Sequence, residues 1–130
     1  MTPDLTTALV SPTYWAIVLI TLLFVGAIVV MHYEALERLN QWVPHWGAHA
    51  RPRVLLLIFC ILLVHTVEIW LFGIGIYWVV QYPELGQVSG VPSVQLLDAV
   101  YLSATTYTTV GYGDLAPHGA MRFFMGSEAL

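Results

Sequence analysis

The feature that most constrains the fold of this chain is a run without charged residues, from Tyr14 to Met31. A helix rises about 1.5 Å per residue, so this run is long enough to cross the hydrocarbon layer of a bilayer. Ser11 followed by Pro12 predicts where the helix begins, because serine is a favoured N-cap and proline fits the first helical turn. The sequence therefore predicts a membrane-spanning helix near the N-terminus.

A second apolar run, from Val54 to Val80, is long enough to cross a membrane with some tilt. The whole chain is 58% hydrophobic and only 9% charged, a composition typical of membrane proteins. It contains no lysine and has a formal net charge of -4, which argues against nucleic-acid binding, since that needs a basic patch. The partner that the composition indicates is the lipid bilayer.

The segment between the two runs is amphipathic. From His32 to Val43 the apolar residues fall on one helical face, which fits either a helix on the membrane surface or an extension of the first helix into water. The segment from Pro44 to Pro52 is predicted to be a loop. His32, His45 and His49 lack helical pairing or a cysteine partner, so the sequence does not favour a metal site here.

Two ionisable residues, His65 and Glu68, lie one turn apart within the second run. Charged groups at this depth are costly and are expected to face protein rather than lipid. Glu68 either anchors the helix by hydrogen bonds or tunes the protein by pH or a proton path, and we favour the anchoring role. The partners expected for that role are Ser103, Thr105 and Thr106.

After the second run, proline and glycine residues predict an external loop from Gln81 to Pro92. Ser93 is then the expected N-cap of an apolar helix that ends near Tyr107. At about 1.5 Å per residue this helix is too short to span a bilayer, so we interpret it as a re-entrant helix that enters the membrane only part of the way. The alternative is a helix on the outer membrane surface.

The segment from Thr108 to Asp114 is polar and contains two glycines, Gly111 and Gly113. A cation that enters a membrane must lose water, and backbone carbonyl oxygens along a narrow path can replace that water. Glycine tolerates positive φ, so glycine at every second position permits a backbone that ordinary residues cannot adopt. Val110 and Tyr112 are expected to brace this ribbon from behind.

The pentapeptide Thr109-Val110-Gly111-Tyr112-Gly113 resembles the selectivity filter of potassium channels. The resemblance implies that four chains surround one axis, with Thr108 and Asp114 supporting the filter. It also implies which groups bind the potassium ion, namely the carbonyls of Thr109, Val110, Gly111 and Tyr112 and the hydroxyl of Thr109.

Residues Met121 to Leu130 are predicted to begin another helix. In the potassium channel family a complete inner helix follows the filter, so the resemblance implies either a fragment or a truncated product. The expected fold is an all-α membrane protein with two transmembrane helices, a re-entrant pore helix, an extended filter loop and an inner helix that is missing or only begun. The expected domains are 1–53, an extra helix with a cytoplasmic segment, and 54–130, an incomplete pore domain.

Three of the four arginines, Arg38, Arg51 and Arg53, lie between the two apolar runs. Short loops rich in basic residues remain cytoplasmic, which places the N-terminus and the filter outside. The expected location is the plasma membrane, or the inner membrane of a bacterium, with several crossings. The acidic residues then expected on the outer face are Asp4, Glu84, Asp98, Asp114 and Glu128.

The function predicted from the sequence is passive potassium conduction by the pore-forming subunit of a homotetramer, without enzymatic activity or an organic cofactor. The alternative is a truncated, non-conducting subunit that assembles with complete partners, and the coding sequence after Leu130 distinguishes the two. A membrane-embedded metal or proton enzyme that uses His65 and Glu68 is disfavoured because neither apolar run supplies further inward-facing ligands.

Overall fold

The computed structural model describes residues 10–45 and 50–130. This part of the chain is mostly helical, which confirms the predicted fold class, and two of its helices are long and apolar enough to cross a membrane. The α-helices are α1 (Pro12–Trp42), α2 (Ala50–Val80), α3 (Leu96–Tyr107) and α4 (Met121–Glu128). A short 3-10 helix (Val43–His45) and two strands, β1 (Gln87–Ser89) and β2 (Ala116–His118), complete the described elements.

Helix α1 begins at Pro12, with Ser11 in the extended conformation expected of an N-cap. It continues without a break to Trp42, so the amphipathic segment extends the first helix and does not form a separate surface helix. Two exposed side-chain pairs at i,i+4 spacing stabilise this extension. Arg38 lies 3.2 Å from Glu34, and Gln41 donates a 2.9 Å hydrogen bond to Glu37.

Helix α2 begins at Ala50, earlier than the predicted start at Val54, and ends at Val80 as predicted. The predicted loop is correspondingly shorter. Pro52 lies in the first helical turn, where its missing N–H costs nothing because that group has no partner within the helix. His49 and the adjoining residues 46–48 lie outside the described part of the chain.

Three phenylalanines join α1, α2 and α4 in the core. The ring of Phe24 lies 5.2 Å from that of Phe72 and 5.4 Å from that of Phe124, measured between centroids. Phe72 and Phe124 are 5.5 Å apart, so the three rings form one cluster. Aromatic pairs at these distances stabilise a core beyond the burial of their surface.

Two glycines of α2 allow neighbouring elements to approach closely. A Cβ atom at Gly73 would lie 2.7 Å from the Cα atom of Val100, which places α3 directly against this position. A Cβ atom at Gly75 would lie 3.0 Å from Phe124 and 3.1 Å from Phe24. Because the two glycines are separated by only one residue, they face different neighbours, and each permits local close packing.

The segment between α2 and α3 contains a strand that was not predicted from the sequence. Strand β1 pairs antiparallel with β2, placing Gln87 opposite His118 and Ser89 opposite Ala116. Strand β1 lies in the segment from Gln81 to Pro92 that was predicted to be a loop. Three-residue strands have no detectable period, and their only signature is the pairing itself. The two-stranded sheet ties the segment before α3 to the chain that leaves Asp114.

Helix α3 begins at Leu96, with Gln95 as its N-cap, so the predicted cap at Ser93 was wrong. The reason is local: the backbone N–H of Gln95 donates a 2.9 Å hydrogen bond to the Asp98 carboxylate. An acid at the third helical position that binds the N-cap N–H is half of a capping box. The helix ends at Tyr107, as predicted, and packs against α2.

Candidate ion-conduction site

The filter segment, defined as residues 108–114, continues directly from the C-terminus of α3. The N–H of Thr109 donates to the carbonyl of Thr106 at 2.9 Å, and the N–H of Gly111 donates to that of Thr105 at 3.1 Å. These bonds satisfy carbonyl groups that the end of a helix otherwise leaves unpaired. The inner part of the filter segment is therefore attached to the last turn of α3.

Backbone dihedral angles distinguish the filter segment from an ordinary strand or turn. The φ angles of Thr109, Gly111 and Gly113 are +58°, +52° and +81°, so every second residue has a positive φ. In a regular strand successive carbonyls point in opposite directions, and an alternation in the sign of φ permits them to share one side. Gly111 and Gly113 were predicted from the sequence to supply this conformational freedom.

Of these three residues with positive φ, Thr109 is the one that is not glycine, and its positive φ was not expected from the sequence. A β-branched residue in the left-handed region is a conformational outlier that costs on the order of 1–3 kcal/mol. Backbone strain of this kind is concentrated at functional sites. No sequence pattern predicts it, because threonine does not favour this conformation.

The outer end of the filter segment is held by Tyr101, a residue of α3 that the sequence analysis did not single out. Its hydroxyl donates a 2.9 Å hydrogen bond to the Asp114 carboxylate, and this bond raises the pKa of the Tyr101 phenol. Its ring is parallel to that of Tyr112, with 6.4 Å between the centroids. The available signal was its position on α3, the helix that leads directly into the filter segment.

The surface of the filter segment is open in the single chain. All residues from 108 to 114 are exposed, including Val110 at 53% and Tyr112 at 72%. A Cβ atom at Gly111 or Gly113 would have no heavy atom within 4 Å among the described residues. The segment thus leaves room on its open side for an ion path or for neighbouring subunits.

A protein-family model described as "Ion channel" matches residues 53–130, which is more than half of the chain. The chain belongs to this ion channel family. The match covers most of α2 together with α3, the filter segment and α4, whereas α1 precedes it. The searches of curated proteins and of solved structures returned no match. The family and the two apolar helices identify a pore-forming channel subunit of a membrane.

The channel subunit also contains a polar cluster beneath its filter segment. Glu68 lies 3.0 Å from His65, as their helical spacing suggested, and accepts a 3.0 Å hydrogen bond from the Tyr107 hydroxyl. Its other oxygen lies 2.6 Å from Nδ1 of His32, which comes from α1. Neither His32 nor Tyr107 was predicted as a partner, because their contacts with Glu68 span more than thirty residues of sequence.

The partners predicted for Glu68 were wrong. The hydroxyls of Thr105 and Thr106 instead donate to the carbonyl of Leu102 in their own helix, at 3.0 and 2.8 Å. The Ser103 hydroxyl lies 2.8 Å from the carbonyl oxygen of Ile69 and also contacts the carboxyl group of Glu128. Threonine hydroxyls on a helix readily bond to a carbonyl three or four residues earlier, so those of Thr105 and Thr106 are satisfied without Glu68.

The channel's outer acidic residues also require one correction. Glu128, expected on the outer face, is only 6% exposed and lies against Ser103 between α3 and α4. Asp98 caps α3 and Asp114 binds Tyr101, while Glu84 is exposed. Asp4 lies outside the described residues. The interior position of Glu128 follows from helix packing, which the sequence alone does not give.

Proposed function

We propose that this chain is the pore-forming subunit of a potassium-selective channel that conducts passively as a homotetramer. The observation that carries the proposal is the alternating sign of φ at Thr109, Gly111 and Gly113. In the proposed pore, the ligands of the dehydrated ion are the carbonyls of residues 109–112 and the hydroxyl of Thr109. Uncharged oxygens suit a monovalent cation because they replace its hydration without trapping it.

The electrostatics of α3 support a cation path at this position. The filter segment begins at the C-terminal end of α3, where the helix dipole places partial negative charge. Asp114 adds a carboxylate at the opposite end of the segment. No acidic side chain lies between Thr108 and Gly113, so a permeating cation meets carbonyl and hydroxyl oxygens rather than a strong fixed charge.

What one chain can supply supports an oligomer, and the number of four chains comes from the resemblance to potassium channels. A single ribbon provides one wall of a path, whereas full replacement of the hydration shell needs ligands on all sides. The exposed filter segment is available to neighbouring copies, and a closed ring with cyclic symmetry is the ordinary way to surround an axis. With Arg38, Arg51 and Arg53 on the cytoplasmic side, the proposal places the N-terminus and the outer end of the filter outside the cell.

A flux assay tests the proposal. The full-length protein is reconstituted into liposomes that are loaded with K⁺ or with Na⁺. Uptake of Rb⁺, a close mimic of K⁺, is then measured while the outward gradient of the loaded ion drives it. The proposal predicts uptake driven by the K⁺ gradient and blocked by excess external K⁺ but not by external Na⁺. Equal competition by Na⁺ would reject selectivity, and uptake no greater than in empty liposomes would reject conduction. Cross-linking in the same liposomes should yield a limiting species of four chains.

A further inference from the structure

Side chains from two helices converge on one point near the inner end of α3. His32 belongs to α1, whereas His65 and Glu68 belong to α2. Their potential ligand atoms, one from each residue, all lie within 4.8 Å of one another. The Glu68 side chain is 4% exposed, while the two histidines are about one-third exposed and therefore reachable from outside the cluster.

Short contacts join the potential metal ligands to one another and to Tyr107. Nδ1 of His65 lies 3.0 Å from a Glu68 oxygen and 2.6 Å from the Tyr107 hydroxyl. With a proton on Nδ1, this nitrogen donates to the Tyr107 oxygen while the Tyr107 hydroxyl donates to Glu68, so hydrogen bonds satisfy the metal-free cluster. In the other neutral tautomer Nδ1 presents a lone pair towards the carboxylate, and a bound cation can share that position.

In that tautomer, lone pairs of the imidazoles and of the Glu68 carboxylate are close enough together to bind one metal ion. Two histidines and one glutamate are a donor set that Zn²⁺ accepts, and water completes four-coordination. Imidazole ligands favour Zn²⁺ and similar transition metals over Mg²⁺ and Ca²⁺, which prefer oxygen. The Tyr107 hydroxyl, 3.0 Å from a Glu68 oxygen, then acts as a hydrogen-bond donor that orients the ligating carboxylate.

We propose that His32, His65 and Glu68 form a binding site for one divalent transition-metal ion of the Zn²⁺ class. The site gives a specific role to α1, which precedes the family match at residues 53–130. Through His32, the ion fastens α1 to α2, and through Tyr107 the same cluster contacts the residue immediately before the filter segment. The proposal does not depend on potassium selectivity.

The test is metal binding by the purified, full-length, tag-free protein in detergent. Zn²⁺ is titrated calorimetrically, and Co²⁺ is used as a spectroscopic probe because a four-coordinate site gives intense visible absorption. The expected result is one metal ion per chain. His32→Ala and Glu68→Gln should each weaken Zn²⁺ binding by at least about tenfold, since even the loss of an outer hydrogen-bond partner has an effect of this size.

The matched control is His118→Ala, which removes a histidine that contacts Ser89 far from the cluster. Zn²⁺ affinity should be unchanged in this variant. If Glu68→Gln does not fold, as judged by circular dichroism, His32→Gln at the partly exposed position decides the question. Metal binding that is absent, or that is equally strong in the His32 and Glu68 variants and the unmodified protein, would overturn the proposal. Because no ion flux is measured, this outcome is independent of the test of conduction.

Discussion

The Tyr101 hydroxyl is hydrogen-bonded to the Asp114 carboxylate at 2.9 Å, and this bond joins the middle of α3 to the outer end of the filter segment. The ring of Tyr101 also stacks on the ring of Tyr112. The inner end of the segment is attached through backbone bonds from Thr109 and Gly111 to the last turn of α3. A single helix thus determines the position of both ends of the proposed ion path.

Tyr101→Phe should shorten the time for which the filter conducts. The substitution removes the hydrogen bond to Asp114 but retains the ring that stacks on Tyr112, so the outer end of the segment loses one of its two attachments. We expect K⁺ current through reconstituted channels to decay faster under sustained activation. Tyr33→Phe, an equivalent change on an exposed part of α1, is the control and should leave the decay unchanged. Identical decay in the two variants would mean that the bond does not support the filter.

Gly111→Ala should abolish K⁺ flux, because an L-residue resists the φ of +52° at this position. Steric conflict within the chain is not the cause, since a Cβ atom there has open space among the described residues. Incorporation of D-alanine, which favours positive φ, should therefore restore flux. Gly126→Ala, in open space within α4, is the control and should conduct normally. Flux in the L-alanine variant equal to that of the control would contradict the backbone argument.

Gly73→Ala should lower the thermal stability of the protein in detergent. The added Cβ atom would lie 2.6 Å from the Val100 side chain and 2.7 Å from its Cα atom, so α2 and α3 must separate. Overpacking of this kind costs about 1–3 kcal/mol. Gly26→Ala in α1, where a Cβ atom meets nothing within 4 Å, should retain or slightly raise the melting temperature. A melting temperature for Gly73→Ala at or above that of Gly26→Ala would show that the two helices do not pack as described.

Ser103→Ala should destabilise the protein through its buried neighbour Glu128. The serine hydroxyl is hydrogen-bonded to one carboxyl oxygen of Glu128, and the other oxygen has no hydrogen-bond partner among the described residues. Removing a donor from a buried acceptor costs about 1–3 kcal/mol, whereas replacing both partners by apolar groups can be nearly neutral. The double variant Ser103→Ala/Glu128→Met should therefore be more stable than Ser103→Ala alone. Additive losses in chemical denaturation would refute this coupling.

The sequence predicted the long elements well because their signals are local. An uncharged run preceded by Ser11 and Pro12 was sufficient to predict the start of α1. The proline- and glycine-containing segment that begins at Gln81 marked the end of α2 at Val80. The N-cap of α3 was misplaced because Ser93 and Gln95 are both near the helix start. The bond between Gln95 and Asp98, which decides between them, is visible only in the structure.

The tertiary features could not be predicted from the sequence. His32 and Glu68 are 36 residues apart in the sequence, and nothing in either local segment indicates that α1 and α2 bring these two side chains together. The positive φ of Thr109 opposes the residue's own preference and is imposed by its surroundings. The motif from Thr108 to Asp114 predicted the filter segment, but the attachment of Asp114 to Tyr101 depends on the packing of α3.

The most direct test of the central claim is the reversal potential of the full-length protein in a planar bilayer with K⁺ on one side and Na⁺ on the other. If carbonyls of residues 109–112 replace the water around a dehydrated K⁺ ion, the reversal potential at equal concentrations of the two ions should lie far from zero, with the K⁺ side negative. A reversal potential near zero, which means equal permeability to the two ions, would contradict the account.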